Sequence, residues 1–211
     1  MVDRAAGTGV TLSFMTREPS GYDRALDLFE GVVVGVPPDA WDLPSPCAAW
    51  SARDLLGHVI GGQLEIIALI GRAEPPDAVD DPGRLAGGDP VASWRRARAA
   101  CAAALTPEAL ATPIPFGGFG ELPLRDLLDT YVLELLVHAW DLARAAGLAV
   151  RLDADLVHRA SATAQVIGTT MRKEGLIGPA LRPPRGAGEL TRLLAFLGRD
   201  EDAFPEAPGK Q

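Results

Sequence analysis

Apolar residues recur at intervals of three and four along most of this chain, and this spacing favours α-helices. The clearest case follows Ser51, where the apolar side chains form one wide helical stripe. The β-branched run at 32–36 continues a helical pattern and is not an isolated strand signal. The chain is therefore predicted to be all-α. The stripe after Ser51 consists of Leu55, Leu56, Val59, Ile60, Leu64, Ile67 and Ile70.

Capping residues and prolines divide the pattern into separate helices. Ser20 and Ser51 are placed to cap two of them, and Asp89 precedes Pro90, a residue that is tolerated in the first turn. Long helices with short or proline-rich connections predict an antiparallel four-helix bundle with extra short C-terminal helices. The predicted helices cover about 21–36, 51–71, 90–105, 123–146, 153–171 and, as a short last one, 189–198, with loops expected at 72–89 and 106–122.

Length and composition limit the domain organisation and the partners. A chain of 211 residues suffices for one well-filled core. We expect one helix-bundle domain over 17–204, a disordered N-terminal extension at 1–16 and a disordered tail at 205–211. The net charge of −8, without a basic block, argues against nucleic-acid binding. No apolar run approaches the roughly 18–20 residues of a membrane span, so an integral membrane protein is not expected.

The two cysteines give no sign of a disulfide framework. Cys47 and Cys101 form no C-x-x-C pair, and the N-terminus lacks the apolar core of a secretory signal. A reducing cytoplasm is therefore the expected compartment. Cys101 lies on an apolar helix face and is expected in the core, and Cys47 is expected in a loop near Trp50.

Glu134 and His138 are the most informative pair in the sequence. They lie four residues apart in a predicted helix, so their side chains share one face. The surrounding stretch is strongly apolar, and burying a carboxylate there is costly unless it is paired or binds a metal ion. Asp141 lies one further turn along and is placed to hydrogen-bond a neighbouring group.

His58 is the expected third member of this site. It lies in an apolar helix, and Gly62 and Glu65 share its face, so Gly62 leaves a hollow beside the imidazole. Facing helices of a bundle build metal sites from such inward groups. Two histidines and one carboxylate leave a coordination position open, as in catalytic zinc sites, and their ligand atoms are expected within about 4 Å of one another.

Less specific interpretations of these residues remain open. His58 also fits a core histidine, and an E-x-x-x-H pair also fits a stabilising pair on a helix surface. His158 is expected at the surface or at a helix cap. The tryptophans are expected mostly in the core, with Trp50 and Trp140 as candidates to line a pocket.

The segments PSPCAAWSARDLLGHVIGG and ELLVHAWDLARAAG resemble the mycothiol-dependent maleylpyruvate isomerase N-terminal domain, a branch of the DinB-like superfamily. The similarity is closest to an uncharacterised actinobacterial subfamily. It implies a four-helix bundle in which His58, Glu134 and His138 bind a divalent metal ion. Zinc is the first choice, with nickel, iron or manganese as alternatives, and mycothiol is the implied thiol cofactor. The characterised isomerase carries an additional C-terminal α/β domain for which this chain has no room, so its complete active site is not expected.

The resemblance implies an enzyme that uses a metal-activated thiol to transfer to, or isomerise, a small electrophilic substrate. The alternatives are a metal-dependent hydrolase that uses water and a non-catalytic small-molecule or stress-response binding protein. Tyr131, Asp141 and Arg53 are the candidate catalytic residues. Arg95, Arg98 and Arg125 compete with Arg53 as the cation for a substrate carboxylate, and the expected oligomeric state is a monomer or a homodimer.

Overall fold

Helices make up most of the chain, as the apolar spacing predicts. The structure, a computed structural model, describes residues 20–47, 50–73, 81–115 and 120–204. Within these ranges an all-α fold of the DinB-like type, with extra C-terminal helices, is confirmed. In chain order the elements are α1 (Gly21–Gly35), α2 (Ala52–Gly71), α3 (Gly83–Ala86), α4 (Pro90–Ala104), α5 (Pro107–Leu110), β1 (Pro113–Pro115), β2 (Glu121–Pro123), α6 (Leu124–Ala145), α7 (Ala154–Lys173) and α8 (Glu189–Phe196).

The predicted helix starts are confirmed by their capping bonds. At α1 the Asp23 N–H donates to Ser20 Oγ at 3.1 Å, and the Ser20 N–H donates back to Asp23 Oδ2 at 3.0 Å. The same reciprocal capping box opens α2 between Ser51 and Asp54. Asp89 caps α4 by accepting the Ala92 N–H. Each box satisfies backbone donors that a helix start leaves free.

Helix α6 is the centre of the core. It packs against α1, α2 and α7, while α4 packs against α1 and α2. Helix α8 in turn packs on α7. The fully or almost fully buried side chains of α6 include Leu124, Leu135, Leu136, Trp140 and Leu142. This central position explains why a carboxylate on α6 needs a partner.

Both segments expected to be loops contain regular structure. In 72–89 the short helix α3 packs against α2, and Gly83 and Ala86 are buried there. In 106–122 the helix α5 is followed by a hairpin that pairs Ile114 with Leu122. Ile114 is buried, which ties β1 to the core. Elements of three or four residues are too short to show a periodic pattern, and packing against long helices is what orders them.

The N-terminal extension at 1–16 and the tail at 205–211, both predicted to be disordered, lie outside the described residues. Helix α2 has 20 residues, and an 18-residue window of it reaches a mean hydropathy of 1.3, so by length and composition alone it qualifies as a membrane span. This corrects the expectation that no apolar run approaches that length. A core helix of a soluble protein passes the same test, and α2 packs against α3, α4 and α6.

Candidate metal centre

Helices α2 and α6 bring His58, Glu134 and His138 together. His58 Nε2 lies 2.7 Å from Glu134 Oε1, and the two imidazole rings meet edge to face with centroids 5.2 Å apart. One potential ligand atom from each residue lies within 4.8 Å of the other two. The His58–Glu134 pair meets the expected separation of about 4 Å, but the complete set, at up to 4.8 Å, does not. The fold brings the three side chains near one another, and their binding of a metal ion stays a prediction.

The cluster is buried on one side and open on the other. The side chain of His138 is 10% exposed, whereas those of His58 and Glu134 are 38% and 27% exposed. A small molecule can therefore approach the cluster from the side of His58 and Glu134. An accessible face is what distinguishes catalytic metal sites from closed structural ones.

Gly62 keeps space free beside the carboxylate. A Cβ at this position would stand 3.7 Å from both Glu134 oxygens and from Tyr131 Cε1, in ordinary van der Waals contact with each. Any longer side chain would cover the carboxylate face. The hollow expected from the glycine is thus located next to the glutamate as well as on the face of His58.

The pKa values of the two histidines shift in opposite directions. Burial lowers the pKa of His138 and outweighs the hydrogen bond and charge of Asp141, which act to raise it. Burial also acts to lower the pKa of His58, but there the hydrogen bond and charge of Glu134 prevail and raise it. His138 is therefore held neutral, the form that binds metals, whereas the Glu134 carboxylate favours the protonated form of His58.

The carboxylate of Glu134 is held in its ionised form. Burial acts to raise its pKa, but the hydrogen bond from His58 and the charges of His58 and His138 lower it below its usual value. Two imidazoles and an ionised carboxylate are donors that suit a divalent transition-metal ion. The chemistry of the donor set therefore fits the metal implied by the family resemblance.

Asp141 lies directly behind His138. Its Oδ2 is 3.0 Å from His138 Nδ1, and Arg199 donates to the same carboxylate from Nη2 at 2.9 Å and from Nε at 3.3 Å. Burial would raise the pKa of this carboxyl, but the His138 hydrogen bond and the charge of Arg199 hold it below its usual value. Asp141 is thus placed to orient His138 rather than to contact a substrate. The sequence alone assigned no role to Arg199.

Tyr131 and Glu65 extend the cluster along α6 and α2. They are hydrogen-bonded to each other, and Glu65 interacts electrostatically with both Glu134 and His58. Burial and the charge of Glu134 raise the pKa of Glu65, and burial raises the pKa of Tyr131. The sequence places Glu65 on the face of His58 but assigns it no role. Its proximity to Tyr131 on another helix is what the sequence does not reveal.

Arg53 is not brought to the cluster. Its guanidinium donates to Asp42 Oδ1 at 3.1 Å and to the Gly87 carbonyl at 2.9 Å. It lies five residues before His58, which turns its side chain roughly 140° away around the helix. Its placement as a candidate for substrate binding is therefore corrected to a contact between α2 and the loop after α3. The structure offers the same correction for Arg95 and Arg98, which pair with Glu30.

Of the two tryptophans that were candidates to line a pocket, one lies beside the cluster and the other does not. The Trp50 ring lies 4.7 Å from the His58 ring and 6.4 Å from the His138 ring, so Trp50 lines the cluster. Trp140 is buried instead, with the Arg144 guanidinium over its ring. Burial raises the pKa of Cys47 to about 11, so its thiol is protonated at neutral pH.

The remaining histidine and cysteine are where they were expected. His158 is exposed and its Nδ1 lies 3.0 Å from Glu189 Oε1, on the surface between α7 and α8. Cys101 is fully buried in the core, with Tyr22 Oη 3.7 Å from its sulfur. Neither residue belongs to the cluster.

Comparison with known proteins identifies the family of this chain. The model of the family described as "Mycothiol maleylpyruvate isomerase N-terminal domain" matches residues 22–143, which include the cluster and Asp141 but not α7 or α8. Two uncharacterised proteins of Mycobacterium tuberculosis, from strains CDC 1551 and H37Rv, are each 33% identical over 189 residues. The aligned region covers 84% of this chain and 95% of each relative. No solved structure matches the chain significantly.

Proposed function

Because the chain belongs to the mycothiol maleylpyruvate isomerase N-terminal domain family, we propose that it is a DinB-like protein with a divalent-metal centre. The ligands are His58, Glu134 and His138. The observation that carries the proposal is the convergence of these side chains from two helices to within 4.8 Å of one another. Zinc suits this donor set best, and iron, nickel and manganese are the alternatives.

The proposed activity is the attack of a thiol on a small electrophilic substrate, by transfer or by isomerisation, with mycothiol as the thiol. A bound divalent cation lowers the pKa of a thiol or water and so supplies a nucleophile at neutral pH. The accessible side of His58 and Glu134 admits the reactants, and the Trp50 ring excludes water from one flank of the cluster.

Glu65 is the proposed proton acceptor. Tyr131, whose phenol stays protonated, donates a hydrogen bond to the Glu65 carboxylate and so orients it. The raised pKa of Glu65 brings it closer to neutrality than an exposed glutamate, which favours reversible proton transfer. Glu65 would take the proton that the thiol releases. Asp141 keeps the ring of His138 in place during this step.

Hydrolysis of a small substrate by water is the second candidate. A carboxylate beside a metal centre also serves as a general base for an attacking water, and Glu65 supplies one. The two candidates share the ligands and differ in the nucleophile. Binding of mycothiol to the metal-loaded protein therefore separates them.

Metal analysis of the purified protein tests the centre. We expect about one metal ion per chain in the wild type, and loss of that ion in His58→Ala and His138→Ala. His158→Ala is the matched control, since His158 is exposed and paired with Glu189, and it should keep the metal. Equal, substoichiometric metal in all four proteins would refute the proposal. Thermal stabilisation by mycothiol in the wild type, absent in His138→Ala, would then favour thiol chemistry over hydrolysis.

A further inference from the structure

The segment that follows α8 places one cationic side chain inside the bundle. Arg199 has a side chain only 9% exposed, and its partner Asp141 on α6 is completely buried. The two residues are 58 positions apart in sequence. Arg199 also lies outside residues 22–143, the part of the chain that the family model matches.

The backbone turn at the end of α8 directs the Arg199 side chain toward Asp141. Gly198 has a φ of +84°, a left-handed conformation that favours glycine. The Arg199 N–H donates to the Leu194 carbonyl at 2.8 Å and the Gly198 N–H donates to the Ala195 carbonyl at 3.1 Å. These two bonds form a Schellman motif, which reverses the chain at the end of the helix. A further bond from Arg199 Nη1 to the Leu197 carbonyl, at 3.1 Å, holds the guanidinium.

The guanidinium determines what the Asp141 carboxylate can do. It faces Oδ1 with Nε and Oδ2 with Nη2, and a guanidinium only donates hydrogen bonds. Both carboxylate oxygens are therefore acceptors, and the remaining partner, His138 Nδ1 at 3.0 Å, must carry the proton. An imidazole protonated at Nδ1 keeps its lone pair on Nε2.

We propose that Arg199 is a positioning residue of the metal centre, acting through Asp141. By holding the carboxylate as an acceptor in a fixed orientation, it selects the Nδ1–H tautomer of His138 and leaves Nε2 as the metal-binding nitrogen. This inference rests on the proposed metal site. It also gives α8, a helix beyond the family match, a role in the function of the bundle.

Arg199→Gln tests the inference, and Arg192→Gln is its matched control. Arg192 lies on α8, is exposed and donates to the nearby Ala187 carbonyl, so its loss removes the same charge without touching Asp141. Zinc affinity is measured by competition with a chromophoric chelator. The tautomer of His138 is measured in the metal-free protein by long-range proton–nitrogen NMR correlations.

We expect Arg199→Gln to bind zinc roughly 10- to 100-fold more weakly than the wild type and to show a mixture of His138 tautomers. Arg192→Gln should match the wild type in both measurements. Arg199→Lys, which retains the charge but not the two-pronged geometry, should weaken binding by an intermediate factor, and it serves as the test if Arg199→Gln does not fold. Wild-type affinity together with a wild-type tautomer in the folded Arg199 variants would overturn the inference.

The same experiment separates this inference from the proposed function. If wild-type protein binds zinc through His58 and His138 but the Arg199 variants bind it equally well, the metal centre stands and the role of Arg199 is refuted. If the wild type binds no zinc, the metal centre is refuted, and an unchanged His138 tautomer in Arg199→Gln would refute the positioning role independently.

Discussion

Two glycines on α2 show how single residues set the packing around the cluster. A Cβ on Gly57 would stand 1.8 Å from the Pro82 carbonyl oxygen, which belongs to the backbone and cannot move without shifting α3. A Cβ on Gly61 would meet only Leu85 Cδ1, at 3.6 Å, in ordinary contact. The two positions lie one turn apart on the same helix, so they form a matched pair.

We therefore expect opposite effects from the same substitution at these two glycines. Gly57→Ala should lower the free energy of unfolding by about 1–3 kcal/mol, because the added methyl overlaps the backbone of the neighbouring segment. Gly61→Ala should leave it unchanged or raise it by up to about 1 kcal/mol, because alanine favours the helix. Urea denaturation of both variants measures the difference. Equal destabilisation by the two would show that α3 does not hold the position described.

The residues of the cluster differ in how far sequence alone could identify them. Glu134 and His138 are related by helical spacing, and the face of His58 follows from the same periodicity. The bond from Arg199 to Asp141 joins positions 58 residues apart, and no periodic pattern connects them. The sequence therefore identified the groups that lie on long helices. It missed Arg199, which the turn after α8 brings to Asp141 from a distant part of the chain.

At the scale of secondary-structure elements, Glu30 links α1 to α4 by ion pairs. Its carboxylate accepts from Arg95 Nε at 3.1 Å and also from Arg98, which in turn pairs with Asp27. Partial burial acts to raise the pKa of Glu30, but the hydrogen bonds and charges of the two arginines lower it below its usual value. The side chain is 23% exposed, so solvent screens part of this effect.

The depressed pKa of Glu30 predicts a pH-dependent contribution to stability. Its ionised form is favoured in the folded protein, so the contribution is complete above the unfolded-state pKa of about 4.3 and is lost as pH falls through the lower folded-state pKa. Glu30→Gln should cost roughly 1 kcal/mol at neutral pH, and the difference from the wild type should shrink under acid. Thermal unfolding of both proteins across this range measures it. Asp39→Asn, on the exposed loop after α1, is the control. A difference in stability between wild type and Glu30→Gln that stays constant with pH would contradict the pH-dependent contribution of Glu30.

Helix boundaries were the structural features that the sequence predicted best. The caps at Ser20, Ser51 and Asp89 depend on neighbours three residues away, and all three form as expected. The hairpin of β1 and β2 and the helix α3 were missed, because their order comes from contact with the bundle rather than from their own pattern. Local signals therefore suffice for long helices and fail for the short elements packed against them.

Across the whole molecule, the cluster lies where separate parts of the chain meet. His58 comes from α2, Glu134 and His138 from α6, and the support behind His138 comes from the segment after α8. A ligand that binds His58 and Glu134 together bridges two helices of the bundle core. Such a ligand binds the folded chain and not the unfolded one, so it should stabilise the entire fold.

Removal of the metal should therefore lower the unfolding temperature of the whole domain. At a free zinc concentration 100-fold above the dissociation constant, binding stabilises the folded state by about 2.7 kcal/mol. For a domain of this size that corresponds to a rise in unfolding temperature of roughly 5–10 °C over the chelated protein. Calorimetry with zinc and with a chelator measures the rise. His158→Ala should show the full effect and His138→Ala none, because His138 belongs to the cluster and His158 does not. A similar rise in both variants would mean that zinc stabilises the protein from a site other than the one at which α2 and α6 meet.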